Sequence, residues 1–199
     1  NLYNNEVDLK LRKKFAKEDQ FIITHISNFR KVKRVEDVVH YFYKVSKKKP
    51  VKLLMIGDGP ERIKAEQLCR NLGIMKKVKF FGKLKLIEKI LSISDLFILP
   101  SETESFGLVA LEAMASRNIV ISTNTGGLPE LNIDGKTGYL SDVGDVEKMA
   151  RDTILLLNDC KKITILKDNA LAHAKAFDLP MILPKYEAIY KSFYKKMKA

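Results

Sequence analysis

Short apolar runs alternate with longer amphipathic stretches along the chain. FIITHIS (21–27), KLLMIG (52–57), VKFFG (78–82), LFILP (96–100) and IVIST (119–123) are rich in β-branched and aromatic residues, which predicts strands. Most are apolar nearly throughout instead of alternating, so both faces should be buried, as in a parallel sheet. The spacing predicts helices over about 35–47, 60–72, 86–93 and 107–116. Repeated βα units with right-handed crossovers imply an α/β fold, a Rossmann-like three-layer α/β/α sandwich around a mostly parallel, doubly wound sheet. GYLSD (138–142) predicts a short edge strand, followed by helices at about 145–157, 161–176 and 181–197. No repeat or low-complexity segment interrupts this order. The expected organisation is a connector over 1–14, one domain over 15–175 and a helical arm over 176–199.

Doubly wound sheets bind ligands beyond the carboxyl ends of their strands, which directs attention to the loops there. The first, SNFRKVKRVED, crowds Arg30, Lys31, Lys33 and Arg34 at a helix start. Cations are unfavourable at that end of a helix, so a bound anion is the better explanation. The second, GDGPE, offers Gly57 and Gly59, which permit close backbone approach but lack the spacing of a dinucleotide fingerprint. Gly82 and Lys83 in FFGKLK, and Gly126 and Gly127 in STNTGGLPEL, are equally open to a turn that holds no ligand.

The fourth loop, PSETESFGLVALEAMAS, is the most informative. Leu108, Leu111, Glu112 and Ala115 share one helical face, which places Glu112 on the expected core stripe. A buried carboxylate needs a partner: hydroxyls, a cation or a ligand. Eight positions earlier, Glu104 can point into the crevice, and Ser105, Phe106, Gly107 and Leu108 present the first amides of the helix to an anion. A structural ion pair to Arg or Lys explains Glu112 equally well.

These loops together resemble the nucleotide-sugar half of the retaining glycosyltransferases of family 4, and the likeness covers nearly the whole chain, from NLYNNEVD to the YEAIY helix. Its most specific element is Glu104 and Glu112 in ESFGLVALEAM. The resemblance implies that Glu104 meets the hydroxyls of the donor sugar and Glu112 the ribose. It further implies that Phe106, Gly107 and Leu108 give amides to the sugar and diphosphate, and that Lys33 binds the diphosphate. The family's Gly-Arg pair is replaced here by Ser27 and Asn28, with an arginine two residues later at Arg30. Which arginine clamps the phosphates is therefore open. HISNFRKVKRVEDV is similar to the bacillithiol-pathway subgroup, which transfers N-acetylglucosamine from its uridine diphosphate sugar to L-malate. The same likeness implies a UDP-sugar substrate, contacts near Gly82 and Lys83 for the base, and an N-terminal acceptor domain ahead of the connector.

Composition narrows the alternatives. The 199 residues are 46% apolar and 30% charged, which excludes a disordered or fibrous protein. The opening NLYNNEVDLKLRKKF has no secretion-signal pattern and reads like a cut inside a longer protein. Cys69 and Cys160 form no CxxC or Cys/His ligand pattern, and with no histidine pair at ligand spacing no metal is expected. A core thiol at Cys69 suits a reducing, cytoplasmic setting. The net charge of +12 raises a nucleic-acid partner, but the lysines lie scattered on polar helix faces without exposed aromatics between them, so none is expected. No Asp-x-Asp spacing occurs, so Arg30, Lys33 and the amides at 106–108 would neutralise a leaving diphosphate without a metal cofactor. Two competing classes fit less well. A glycoside hydrolase would need its carboxyl groups flanking the bond at about 5 to 9.5 Å, and a receiver-like binding module would need an acidic cluster after the first strand, where SNFRK stands.

Overall fold

A computed structural model describes residues 7–198. Strands form at β1 (Phe21–Ile26), β2 (Val51–Ile56), β3 (Val78–Gly82), β4 (Leu96–Leu99), β5 (Ile119–Thr123) and β6 (Gly138–Ser141). All neighbours pair in parallel, in the order β3-β2-β1-β4-β5-β6. Side chains alternate across the sheet, and each face has its own core. Ile23, Leu53, Met55, Leu96, Ile98 and Ile121 meet one layer of helices. Phe97, Leu99 and Val120 meet the opposite layer, beside a smaller cluster around Ile22, Leu54 and Ile56. Burial on both faces is why the central runs carry no polar alternation.

Helices follow in order: α1 (Leu9–Lys13), α2 (Val35–Ser46), α3 (Arg62–Asn71), α4 (Ile87–Ser92), α5 (Leu108–Ala115), α6 (Leu128–Leu131), α7 (Val146–Leu156), α8 (Cys160–Lys175) and α9 (Leu179–Lys198). The expected long helices are all present. Two short ones, α1 and α6, go beyond the sequence reading, as do single 3-10 turns at Lys31–Lys33 and Met75–Lys77. Asp8 caps α1 by accepting from the Leu11 amide at 2.9 Å.

Beneath the amino ends of β1 and β4, Asp95 fastens the lead-in segment. It accepts from Arg12 at 2.8 Å, Lys167 at 2.7 Å and the Ile22 amide at 2.9 Å, while Arg12 also reaches the Ile93 and Gln20 carbonyls. Burial pushes the Asp95 carboxyl up, but the charges of Lys167 and Arg12 outweigh it and hold the group below its usual range. At the other end of the chain, α9 does not fold back on its own domain. Leu179, Tyr186, Tyr190 and Phe193 all stay exposed along it.

Candidate active site

The strand order reverses between β1 and β4, and such a switch point opens a crevice at the carboxyl ends of the two strands. The loop after β1 is set from below by His25, which lies fully buried on that strand. Burial pulls its imidazole down to about 4, opposed by the Ile98 carbonyl and assisted by the nearby Lys33 ammonium, so the ring is neutral at pH 7. A carbonyl only accepts, so Nδ1–H donates to Ile98 O at 2.9 Å. Nε2 then accepts from the Ser27 hydroxyl at 2.8 Å, and Ser27 Oγ accepts from the Phe29 amide at 3.2 Å. Phe29 packs against the His25 ring with centroids 6.0 Å apart and takes a φ of 40°. Arg34, at the far end of the loop, has a φ of 49°. Two non-glycine residues in the left-handed region bracket the 3-10 turn that carries Lys33. Such strain persists only where the surroundings over-determine it.

Glycines let neighbouring loops touch backbone to backbone. A Cβ on Gly57 would lie 1.7 Å from the Ser27 carbonyl oxygen, and one on Gly126 would lie 1.8 Å from that of Glu104. Gly57 N–H donates to Gly82 O at 2.7 Å, so this amide is already engaged. The loop after β4 is gripped from both sides. Glu102 N–H donates to Val32 O at 2.8 Å, while Thr123 Oγ1 reaches Ser101 O at 2.6 Å and Gly127 N–H reaches Glu104 O at 3.1 Å. Lys33 Nζ and Glu104 Oε2 close the arrangement at 2.5 Å, with the two side chains 19% and 16% exposed.

The loop ends at α5, where Gly107, at a φ of 86°, occupies the cap position and contributes no side-chain acceptor. The first amides of the helix therefore have no capping side chain. Phe106 is half-buried in an edge-to-face contact with Phe177, 5.8 Å between centroids.

The structure corrects the assignment of the α5 face. Leu108 is 67% exposed, and Leu111, Glu112 and Ala115 are half-buried; the buried stripe is Ala110, Ala113 and Met114. The reason is steric. α5 lies against α8, where Ala170 and Ala174 face it, and small side chains permit that close approach while leucines would not. Glu112 thus borders the core without lying in it.

Of the residues selected from sequence, Lys33 and Glu104 meet directly, and Gly57 and Gly82 meet through their backbones. Asn28, Arg30, Ser105 and Leu108 expose their side chains around the same rim. Gly82 ends β3 and Lys83 follows it, two strand spacings from β1, about 10 Å away. The His25–Ser27–Phe29 clamp and the Thr123 support escaped the sequence reading, since a histidine in an apolar run and a threonine ending a strand carry no signal of their own. Among the described residues, no group of three His, Cys, Asp or Glu side chains converges as a metal site, and no helix is long and apolar enough to cross a membrane.

Chemically, this is a Rossmann-like domain whose crevice sets an ammonium, a carboxylate and an uncapped helix start side by side, suited to an anionic ligand that carries hydroxyls. The chain belongs to the glycosyl transferases group 1 family, whose model matches residues 7–173. N-acetyl-alpha-D-glucosaminyl L-malate synthase of Bacillus anthracis is 44% identical over 183 residues, covering 91% of this chain and 48% of the relative. Sulfoquinovosyl transferase SQD2 of Arabidopsis thaliana is 28% identical over 86% of this chain and 33% of its own length. The crystal structure of Anabaena HepE in complex with UDP and glucose superposes with a TM-score of 0.87 at 26% identity, covering 96% of this chain and 54% of that one. The chain thus spans about half the length of that malate synthase.

Proposed function

We propose that this chain is the donor-binding, C-terminal half of a GT-B-type retaining glycosyltransferase that moves N-acetylglucosamine from its UDP sugar to L-malate. The observation that carries the reading is the meeting of Lys33 and Glu104 at the uncapped start of α5. The 44% identity to the malate synthase supports the choice of donor and acceptor. SQD2 favours the second reading, another nucleotide sugar used for glycolipid or polysaccharide synthesis.

In the proposed reaction, loss of UDP builds negative charge on the β-phosphate. Arg30, Lys33 and the amides of Phe106, Gly107 and Leu108 neutralise that charge in place, which lowers the barrier without a resident metal. Glu104 holds the sugar hydroxyls, Glu112 holds the ribose, and the base lies toward Gly57, Gly82 and Lys83. The acceptor attacks on the face the diphosphate leaves, and the leaving phosphate takes its proton, so the anomeric configuration is retained. Acceptor contacts and exclusion of water would come from an N-terminal domain that closes over the donor. The isolated chain should therefore bind donor weakly and transfer no sugar.

Thermal shifts with UDP, UDP-N-acetylglucosamine, GDP and ADP test this reading. Uridine nucleotides should stabilise the chain above the others, and Glu112→Ala, which removes a contact to the ribose that all four share, should diminish every shift. Equal shifts for all four, or full transfer by this chain alone, would overturn it.

A further inference from the structure

At the amino ends of β2 and β3, on the side of the sheet away from the crevice, the α4 face runs out of apolar cover. Leu54, Phe15 and Phe81 form the last of that cluster, and Phe15 meets Phe81 edge to face at 5.3 Å. Lys52 precedes Leu54 and Lys79 precedes Phe81 on the same faces of their strands. A cavity of about 280 Å³ opens here, lined by Lys14, Lys52, Lys76, Lys77, Lys79 and Phe15, and by no acidic residue. A second hollow of about 620 Å³ continues it through Lys14 and Lys52, adding Lys17 and the ion pair of Lys13 with Glu18 at 3.2 Å.

Several lysines elsewhere in the fold are neutralised by neighbours. Lys33, Lys44, Lys148 and Lys167 each meet a carboxylate. None of the five lysines of the first cavity makes an ion pair among the described residues. Two of them are held by carbonyls instead, Lys52 Nζ by Lys76 O at 3.3 Å and Lys77 Nζ by Ser46 O at 3.1 Å. Ammonium groups gathered in one recess repel one another, and the repulsion grows with each one added. A multivalent anion removes it. The recess is concave with an apolar floor, which suits a compact ligand over a flat lipid surface.

We infer that this basal cavity is a second binding site, distinct from the crevice, for a compact ligand bearing several phosphate groups. Lys14 and Phe15 belong to the segment leading in from α1, so a bound anion ties that segment to the β2–β3 edge and stabilises the domain.

Calorimetric titration of the 199-residue chain with inorganic triphosphate at low ionic strength tests the inference, with Lys76→Glu/Lys79→Glu as the principal variant. Both side chains are exposed, and circular dichroism checks that the fold is kept; Lys52→Gln, which keeps most of the side chain's bulk, is the second variant. The wild type should bind saturably, and the double charge reversal should lose at least about tenfold in affinity both alone and beside Lys33→Ala, which removes the crevice's own share of anion binding. Loss in Lys33→Ala with none in the double variant would place the anion in the crevice and overturn the inference. Binding to phosphatidylglycerol vesicles without binding to triphosphate would overturn the cavity as the site.

Discussion

The two ends of the sheet are held by different means. At the carboxyl end, loops lie on one another through backbone contacts that only glycine permits, and the ion pair of Lys33 and Glu104 lies across the crevice. At the amino end, one carboxylate, Asp95, gathers Arg12, Lys167 and the Ile22 amide from three separate segments, and beside it lysines stand without counter-charges. Close backbone packing fixes position and leaves side chains free for a ligand. A buried charged hub fixes topology and leaves nothing over.

That contrast can be broken at either end, and the largest effect is expected at the crevice. Gly126→Val forces a Cβ onto the Glu104 carbonyl at a φ of 54° and should cost about 4 kcal/mol in denaturant unfolding. Asp95→Ala leaves Arg12 and Lys167 without their partner and should cost about 3 kcal/mol by the same measurement. A cost under about 1 kcal/mol would show that the hub is dispensable.

The two ends also separate by pH. Folding lowers the His25 value from 6.5 to about 4, so the unfolded chain binds the proton more readily between those values. Its contribution is whole above pH 6.5, falls as pH drops toward 4, and should amount to about 3 kcal/mol. Asp95 behaves in a lower window. Its folded value lies below the ordinary 3.8, so its stabilisation is present above 3.8 and disappears as pH falls through the folded value. His25→Gln should flatten the first part of a stability-versus-pH curve and leave the second.

Within the crevice, Lys33→Ala should weaken UDP binding about tenfold, the size of one lost charge-assisted hydrogen bond. Glu104→Gln should leave it unchanged or up to about threefold tighter, because the ammonium no longer has a competing carboxylate. Equal losses in both variants would show that the pair acts as a unit. The smallest effect belongs to Leu108→Ala, expected within about 0.5 kcal/mol of wild type because the side chain is 67% exposed. A loss of 2 kcal/mol or more would restore Leu108 to the core.

The sheet was legible in the sequence because strands buried on both faces are continuous apolar runs, as FIITHI and LFIL are. Lys33 and Glu104 were legible as loop charges placed where doubly wound folds bind ligands. The face of α5 was not, because periodicity ranks leucine above alanine, whereas contact with α8 selects Ala110 and Ala113 for their size. The five-residue α1 is too short to show a period and rests on its Asp8 cap and the Arg12 contacts. The basal lysines looked scattered because Lys14, Lys52 and Lys76 meet only in three dimensions.

The pairing of β1 bears on how the molecule is assembled. This strand finds its first neighbour when Val51 joins Phe21, but its other edge stays open until Phe97 reaches Thr24. A nascent chain must therefore emerge past β4 before its central ribbon is sealed, and until then a row of unpaired amides and carbonyls lies bare. Pulse-labelled hydrogen exchange during refolding should show β1 protected in step with β4 and later than β2.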